Sequence, residues 1–261
     1  MATRPTTTVQ ARRPGPRAWL RMIQAEARMI TRDTAGLIVP LGLPLLILVM
    51  QGISFDDLGQ EVAPGVTVFD VYALPVVVTM VVTTIAVMNM PSFLATYRKT
   101  KVLRRLAVTP ASPAMVLVAQ MVVSFLQVVL GIALAFGVGV LFFNANPPND
   151  VLMAVLVLLA CCAAMYALGM IVASVARTPN AAVAVGLTAF FGLAALGGMF
   201  GPVENLPDTL AEIGSWLPFG AAVEAFQSAW LGETVAWENW VSLGASTVIG
   251  AGVAAALFRW E

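Results

Sequence analysis

Apolar residues gather in six long runs, with polar residues confined to the stretches between them. The runs cover about residues 35–53, 71–90, 114–143, 151–175, 181–200 and 241–258. An α-helix needs ~20 apolar residues to cross the ~30 Å hydrocarbon layer, and only helices or closed barrels satisfy their backbone there. Each run meets that length, so six transmembrane helices are predicted, the third long enough to tilt or protrude. Pro40, Pro44 and Pro75 are expected to kink the first and second. A seventh stretch, 215–231, is shorter, contains Glu224 and is divided by Pro218 and Gly220. It reads as part of a re-entrant helical hairpin, in which Leu206, Leu210 and Ile213 mark one short helix and Ala222, Phe226 and Trp230 a second.

Ahead of the first run, Leu20, Ile23, Ala27 and Ile30 recur at helical spacing among Arg21, Glu26, Arg28 and Arg32. That pattern predicts an amphipathic helix over 18–34, lying on the membrane surface. Residues 1–17, rich in Pro, Thr and Arg, are expected to form a disordered tail, leaving 18–261 as a single transmembrane domain.

Composition agrees. Only 11% of the 261 residues are charged and 59% are apolar, too few charges to cover a soluble surface. The fold class is an all-α integral membrane protein.

Charge sign orients it. The segment up to Asp33 holds seven Arg, and loop 91–113 holds Arg98, Lys99, Lys101, Arg104 and Arg105 without an acid. Segment 201–240 holds six acids and no base. With six spans, all 14 basic residues and three acids fall at one end, and 11 acids with no base at the other. The positive end faces the cytoplasm, so both termini are expected inside and the hairpin outside. Trp19, Trp216, Trp230, Trp237, Trp240 and Trp260 fall at or beyond span ends, where indole rings favour the interface.

Several chemistries are missing from the sequence. It has no histidine, so no His-based triad, and Cys161 and Cys162 are adjacent within an apolar run. It has no Gly-x-x-x-x-Gly-Lys-Ser/Thr phosphate loop. No charged residue lies near the middle of a span, where ion-coupled carriers keep one. The polar residues within spans are neutral. Gln120, Ser124 and Gln127 share one helical face, as interhelical hydrogen-bonding glue or as a polar stripe. Met80, Thr84 and Met88 form another stripe, with packing the plainer reading and a substrate path the functional one. With Phe190 and Phe191 they are the candidate pathway residues. Glu224 is either a solvated carboxylate or a hydrogen-bonded latch that holds the hairpin in place. No metal site or nucleic-acid surface is expected.

Two segments carry a family resemblance. Thr96–Met115 (TYRKTKVLRRLAVTPASPAM) resembles the cytoplasmic loop of type-2 permeases of ATP-binding-cassette exporters, where a charged turn leads into a Leu-x-x-x-Pro-x-Ser pattern. Arg98-Lys99-Thr100-Lys101 stands where that family has a Glu-Arg-x-x-Gly-Thr start. Pro202–Pro207 (PVENLP), Ile213–Gly220 (IGSWLPFG) and Val223–Phe226 (VEAF) are similar to the family's outer hairpin, with Gln227 at a position that is commonly basic. The daunorubicin-exporter-like branch is the nearest in pattern.

The resemblance implies a permease subunit, not itself an enzyme, in the bacterial cell membrane. It would form the path for a lipophilic or amphipathic substrate: a drug, an antibiotic or a lipid. ATP and Mg would be bound by a separate soluble ATPase, touched by Arg98, Lys99, Lys101, Arg104 and Arg105. A second permease chain, identical or different, would complete the pathway among membrane lipids. The alternatives are a non-transporting anchor or assembly subunit, and a secondary carrier or channel.

The topology is testable by cysteine labelling in intact cells, on a background with Cys161 and Cys162 replaced. Cysteines at positions 10 and 261 should resist an impermeant maleimide until the membrane is opened. Rapid labelling of either one overturns the assignment.

Overall fold

The structure, a computed structural model, describes residues 15–54, 59–101, 113–201 and 203–257. Most of the tail expected over 1–17 lies outside those residues, as do Arg104 and Arg105. An amphipathic helix α1 (Pro16–Arg32) leads into α2 (Thr34–Ser54). A two-stranded hairpin, β1 (Glu61–Ala63) and β2 (Val66–Thr67), leads into a continuous helix α3 (Phe69–Lys99). Then come α4 (Pro113–Phe143), α5 (Val151–Val175), α6 (Pro179–Leu196), the short pair α7 (Asp208–Trp216) and α8 (Pro218–Leu231), and α9 (Trp237–Leu257). Six of these, α2 to α6 and α9, are long and apolar enough to cross a membrane.

Local chemistry sets the boundaries. Pro16 opens α1 at a position whose N–H needs no partner. The carboxylate of Asp33 accepts from the Gly36 N–H at 3.1 Å and starts α2. Asp150 caps α5 by accepting from the Met153 N–H, and Thr178 caps α6 by accepting from the Ala181 N–H, with Pro179 following. Gly232, at φ 74°, ends α8 in the left-handed conformation.

The second span differs most from expectation. It does not stop near residue 90 but runs on to Lys99. Residues 90–99 are only weakly apolar, yet Phe93, Leu94, Ala95 and Tyr97 are buried. They are covered by protein rather than lipid, which a hydropathy window does not register. The fifth span ends at Leu196, four residues early, and the sixth begins four residues early at Trp237.

Helix α3 is the axis of the bundle. Within its most apolar stretch 89% of residues are buried, against 22–39% for the other five spans. Two π-helical stretches interrupt it, Phe69–Ala73 and Thr84–Asn89. Each is followed closely by a proline, Pro75 and Pro91, which cannot donate to the carbonyl four residues back. The second stretch presents backbone to two neighbouring glycines. A Cβ on Gly169 of α5 would lie 2.0 Å from the Ala86 carbonyl oxygen, and one on Gly186 of α6 would lie 2.4 Å from that of Val87. Only glycine permits helix axes to approach so closely.

The prolines of α2 are accommodated in a related way. The helix runs unbroken through Pro40 and Pro44. Pro44 removes the donor that the Pro40 carbonyl would otherwise receive, and the Thr84 hydroxyl of α3 donates to that oxygen at 3.2 Å.

The close approaches predict a graded result. Gly169→Ala and Gly186→Ala should each cost about 1–3 kcal/mol through overpacking. Gly244→Ala, whose Cβ would meet nothing within 4 Å, should be neutral or slightly stabilising. Thermal unfolding of the detergent-solubilised chain measures all three.

Candidate functional site

The end of the bundle that carries the basic residues is organised by α1. Its apolar stripe packs on α3 and α4, with Ile30 against Phe93 and Val123. Glu26, on the same face, is 5% exposed, and its carboxyl group receives a hydrogen bond from the Tyr97 hydroxyl. Burial pushes the Glu26 carboxyl above its ordinary 4.5, and the Tyr97 hydrogen bond offsets part of that rise. Arg98, beside Tyr97, donates to the Ala173 carbonyl at the foot of α5. Lys99 and Lys101 are exposed beyond it, and Lys101 turns the chain at φ 56°. Arg21, Arg28, Arg32 and Arg177 are also exposed at this end, giving a cationic rim around the foot of α3.

A neutral polar knot lies further in. The Asn89 amide donates to the Gly36 carbonyl at 2.9 Å and to Gln127 Oε1 at 3.1 Å, and Gln127 Nε2 donates to the same carbonyl at 3.0 Å. One unit thus joins α2, α3 and α4. Gln120 and Ser124 lie on the same buried face of α4. The Gln120 carboxamide makes no hydrogen bond among the described residues, and Ser124 lies against the Tyr166 hydroxyl.

The candidate pathway residues are not brought together on one surface. Met80 and Thr84 are 0% exposed within the core. Met88 borders a 140 Å³ cavity beside Asp33 and Asn89. Phe190 is buried, while Phe191, in edge-to-face contact with it at 5.2 Å, is 40% exposed on the outside of α6.

The opposite, acidic end is built on Asp70, at the start of α3. Its carboxylate is fully buried and accepts four hydrogen bonds: from the Thr67 N–H and hydroxyl at 2.9 Å each, from the Asn146 N–H at 2.8 Å and from Asn146 Nδ2 at 3.0 Å. The next link reaches the hairpin, since the Trp230 indole N–H donates to the Asn146 carbonyl at 3.1 Å. Trp230 is therefore a buried tie at 5% exposure, not the interfacial ring its position predicts.

Helix α8 is not laid over the bundle. It is inserted into it, against α3, α5 and α9, with Pro218–Val223, Phe226 and Ala229 buried. Beneath it lies a cavity of about 230 Å³, walled by Tyr72 and Val76 of α3, Gly197 and Gly198 after α6, Ser215 of α7, and Glu224 and Gln227 of α8. Glu224 is half-buried there. The Ser228 hydroxyl donates to the backbone carbonyl of Glu224 at 3.2 Å. Sequence reasoning did not single out Asn89, Asp70 or the Glu26–Tyr97 pair. Asn89 was detectable as a lone amide within an apolar run.

A family model described as ABC-2 type transporter matches residues 17–231. No curated protein matches the chain.

The Glu26 site gives a pH prediction. A carboxyl group that ionises less readily folded than unfolded supports folding where it is protonated, and that support is lost as pH rises from about 4.5 through the raised value. Glu26→Gln keeps the shape and removes the charge. The variant should lack this component of pH dependence and should unfold at a higher temperature than the parent at about pH 8, as followed by thermal unfolding across pH.

Proposed function

The chain belongs to the ABC-2 type transporter family, and from that premise we propose that it forms the translocation path of an ATP-driven exporter powered by a separate ATPase subunit. It is a multi-pass membrane protein and a permease component of an ABC transporter. Family members typically pair with an ATP-binding subunit, and this sequence has no phosphate loop of its own. ATP and Mg would be held by that partner.

One observation carries the coupling part of the reading. Helix α3 is a single buried rod of 31 residues with the cationic rim at its foot and the acidic-end cavity at its head. At 1.5 Å per residue it is about 46 Å long. A partner pressing on Lys99, Lys101 and the following Arg104 and Arg105 has a rigid element with which to reach the far side. Arg98, bonded to α5, ties the foot of that rod to a second span. Contact with anionic lipid by the same bases is compatible with this, at about 1 kcal/mol each.

The walls of one groove support a substrate class. A groove of about 540 Å³ between α4, α5 and α9 is lined by apolar residues including Leu117, Met121, Met170 and Ala254. Such a surface suits a lipophilic or amphipathic molecule. Met80, Thr84, Met88, Phe190 and Phe191 would enter the pathway through motion of α3 against α6, with a second permease chain, identical or not, closing the other side. Drug or antibiotic efflux of the daunorubicin-exporter kind, across a bacterial plasma membrane, is the activity this reading favours.

The test is co-purification of the native complex followed by transport in vesicles. An ABC-type ATPase should accompany the chain. The double variant Arg104→Glu/Arg105→Glu should lose about tenfold in transport or in partner affinity, equivalent to about 1.4 kcal/mol. Normal assembly and transport in that variant would leave lipid contact as the role of these bases.

A further inference from the structure

At the basic end, α2 and α6 both pack on the second π-helical stretch of α3 and leave a cavity of about 140 Å³ between them. Asn89 and Ser92 of α3 form its floor, Asp33, Gly36 and Val39 at the start of α2 one wall, and Val183 of α6 the other. Val39 and Val183 are 45% and 41% exposed. The cavity therefore opens sideways, where the apolar flanks of α2 and α6 face lipid.

Three oxygens line this space without a donor of their own. Asn89 is 6% exposed, and its two amide protons are committed to the Gly36 carbonyl and to Gln127 Oε1. Its Oδ1 is left as an acceptor of fixed direction. Asp33 Oδ1 accepts from the Gly36 N–H, and Oδ2 is left over. A Cβ on Gly36 would lie 2.8 Å from Asp33 Oδ2 and 3.1 Å from Asn89 Oδ1, so these two oxygens, from different helices, lean over the same bare Cα. The Ser92 hydroxyl follows Asn89 by one turn of α3. Among the described residues no donor reaches any of the three.

Charge selects among occupants. Asp33 is the one carboxylate on the cavity and forms no ion pair among the described residues. Arg28 and Arg32, at the end of α1 just before it, are exposed. A free cation is repelled by these bases and a free anion by Asp33, whereas a head that carries both charges is attracted by both.

We propose that this cavity seats the phosphoethanolamine head of a phospholipid from the adjoining leaflet. Its primary ammonium donates to Asp33 Oδ2, Asn89 Oδ1 and Ser92 Oγ, its phosphate lies outward toward Arg32, and its acyl chains leave between α2 and α6 past Val39 and Val183. A choline head is excluded, because three methyl groups remove every N–H donor and add bulk. A glycerol head brings no ammonium. The bound lipid joins the α1–α2 junction to α3, and nothing in this binding requires the chain to act as an exporter.

The experiment uses the full chain in detergent with equimolar phosphatidylethanolamine, phosphatidylcholine and phosphatidylglycerol of identical acyl chains, and native mass spectrometry counts the lipid that is retained. Phosphatidylethanolamine should be retained at least fivefold over each of the others. Asp33→Asn, whose carboxamide still caps α2, should bring that preference below twofold. Ser92→Ala, which leaves the cap untouched, should weaken it at least twofold. Free ethanolamine in excess should not displace the lipid, since it carries neither phosphate nor chain. Equal retention of phosphatidylethanolamine and either other lipid, a preference that survives Asp33→Asn, or displacement by ethanolamine overturns the proposal. If lipid-free Asp33→Asn unfolds below the parental temperature, Ser92→Ala decides, and an unchanged preference in that variant overturns the proposal as well.

Discussion

The contact of Gly169 and Gly186 with the backbone of α3 is the constraint on which the other elements depend. In a hydrocarbon solvent apolar side chains gain little by leaving lipid for protein, so helices associate through close packing and hydrogen bonds. Here the closest packing falls at the π-helical stretch Thr84–Asn89, whose Ala86 and Val87 carbonyls face the two glycines. Side chains at either glycine would push α5 or α6 away. That would expose α3, along with the hydroxyls of Thr79 and Thr83 that now bond back to their own helix.

Three polar ties then fix α3 along its length. Glu26 and Tyr97 hold α1 to its foot, Asn89 and Gln127 gather α2 and α4 at the Gly36 carbonyl, and Asp70 holds Asn146 at its head. Each is buried and each joins elements distant in sequence. Hydrogen bonds to charged groups contribute about 1.5–3 kcal/mol, and an orphaned partner costs about as much. The fully bonded Asp70 site is accordingly the anchor from which the Asn146–Trp230 link seats the inserted hairpin.

What the sequence made legible follows from which solvent each residue meets. The six spans follow from apolar length, because lipid permits little else, and the N-terminal helix and the divided hairpin from helical spacing of apolar residues. Residues 91–99 were missed because they are shielded by α1, α5 and α6 rather than by lipid, so their weak hydropathy carries no signal. The Met80–Thr84–Met88 stripe assumed regular α-helical spacing. A π-helical stretch shifts that phase, and a helix apolar on every side has no preferred face to read. Asp70 counted as one more loop acid, since nothing local to it announces Asn146, 76 residues away. Glu224 stood out as an acid in a short apolar stretch, but the cavity it faces is assembled from α3, α6, α7 and α8 and has no signature in any one of them.

The separation of charge along the bundle axis has a consequence for how copies of the chain meet outside a membrane. The formal net charge is zero, yet among the described residues the bases stand with Glu26 and Asp33 at one end and the remaining acids at the other. A bilayer imposes a common direction on neighbouring copies, placing like ends side by side, where they repel across roughly a Debye length of 8 Å. Detergent micelles impose no such direction. Antiparallel pairs, in which opposite ends meet along the apolar flanks, are then the arrangement that electrostatics favours. Low salt strengthens that preference and high salt erases it, so the orientation of any pair seen in detergent is a property of the solvent as well as of the protein.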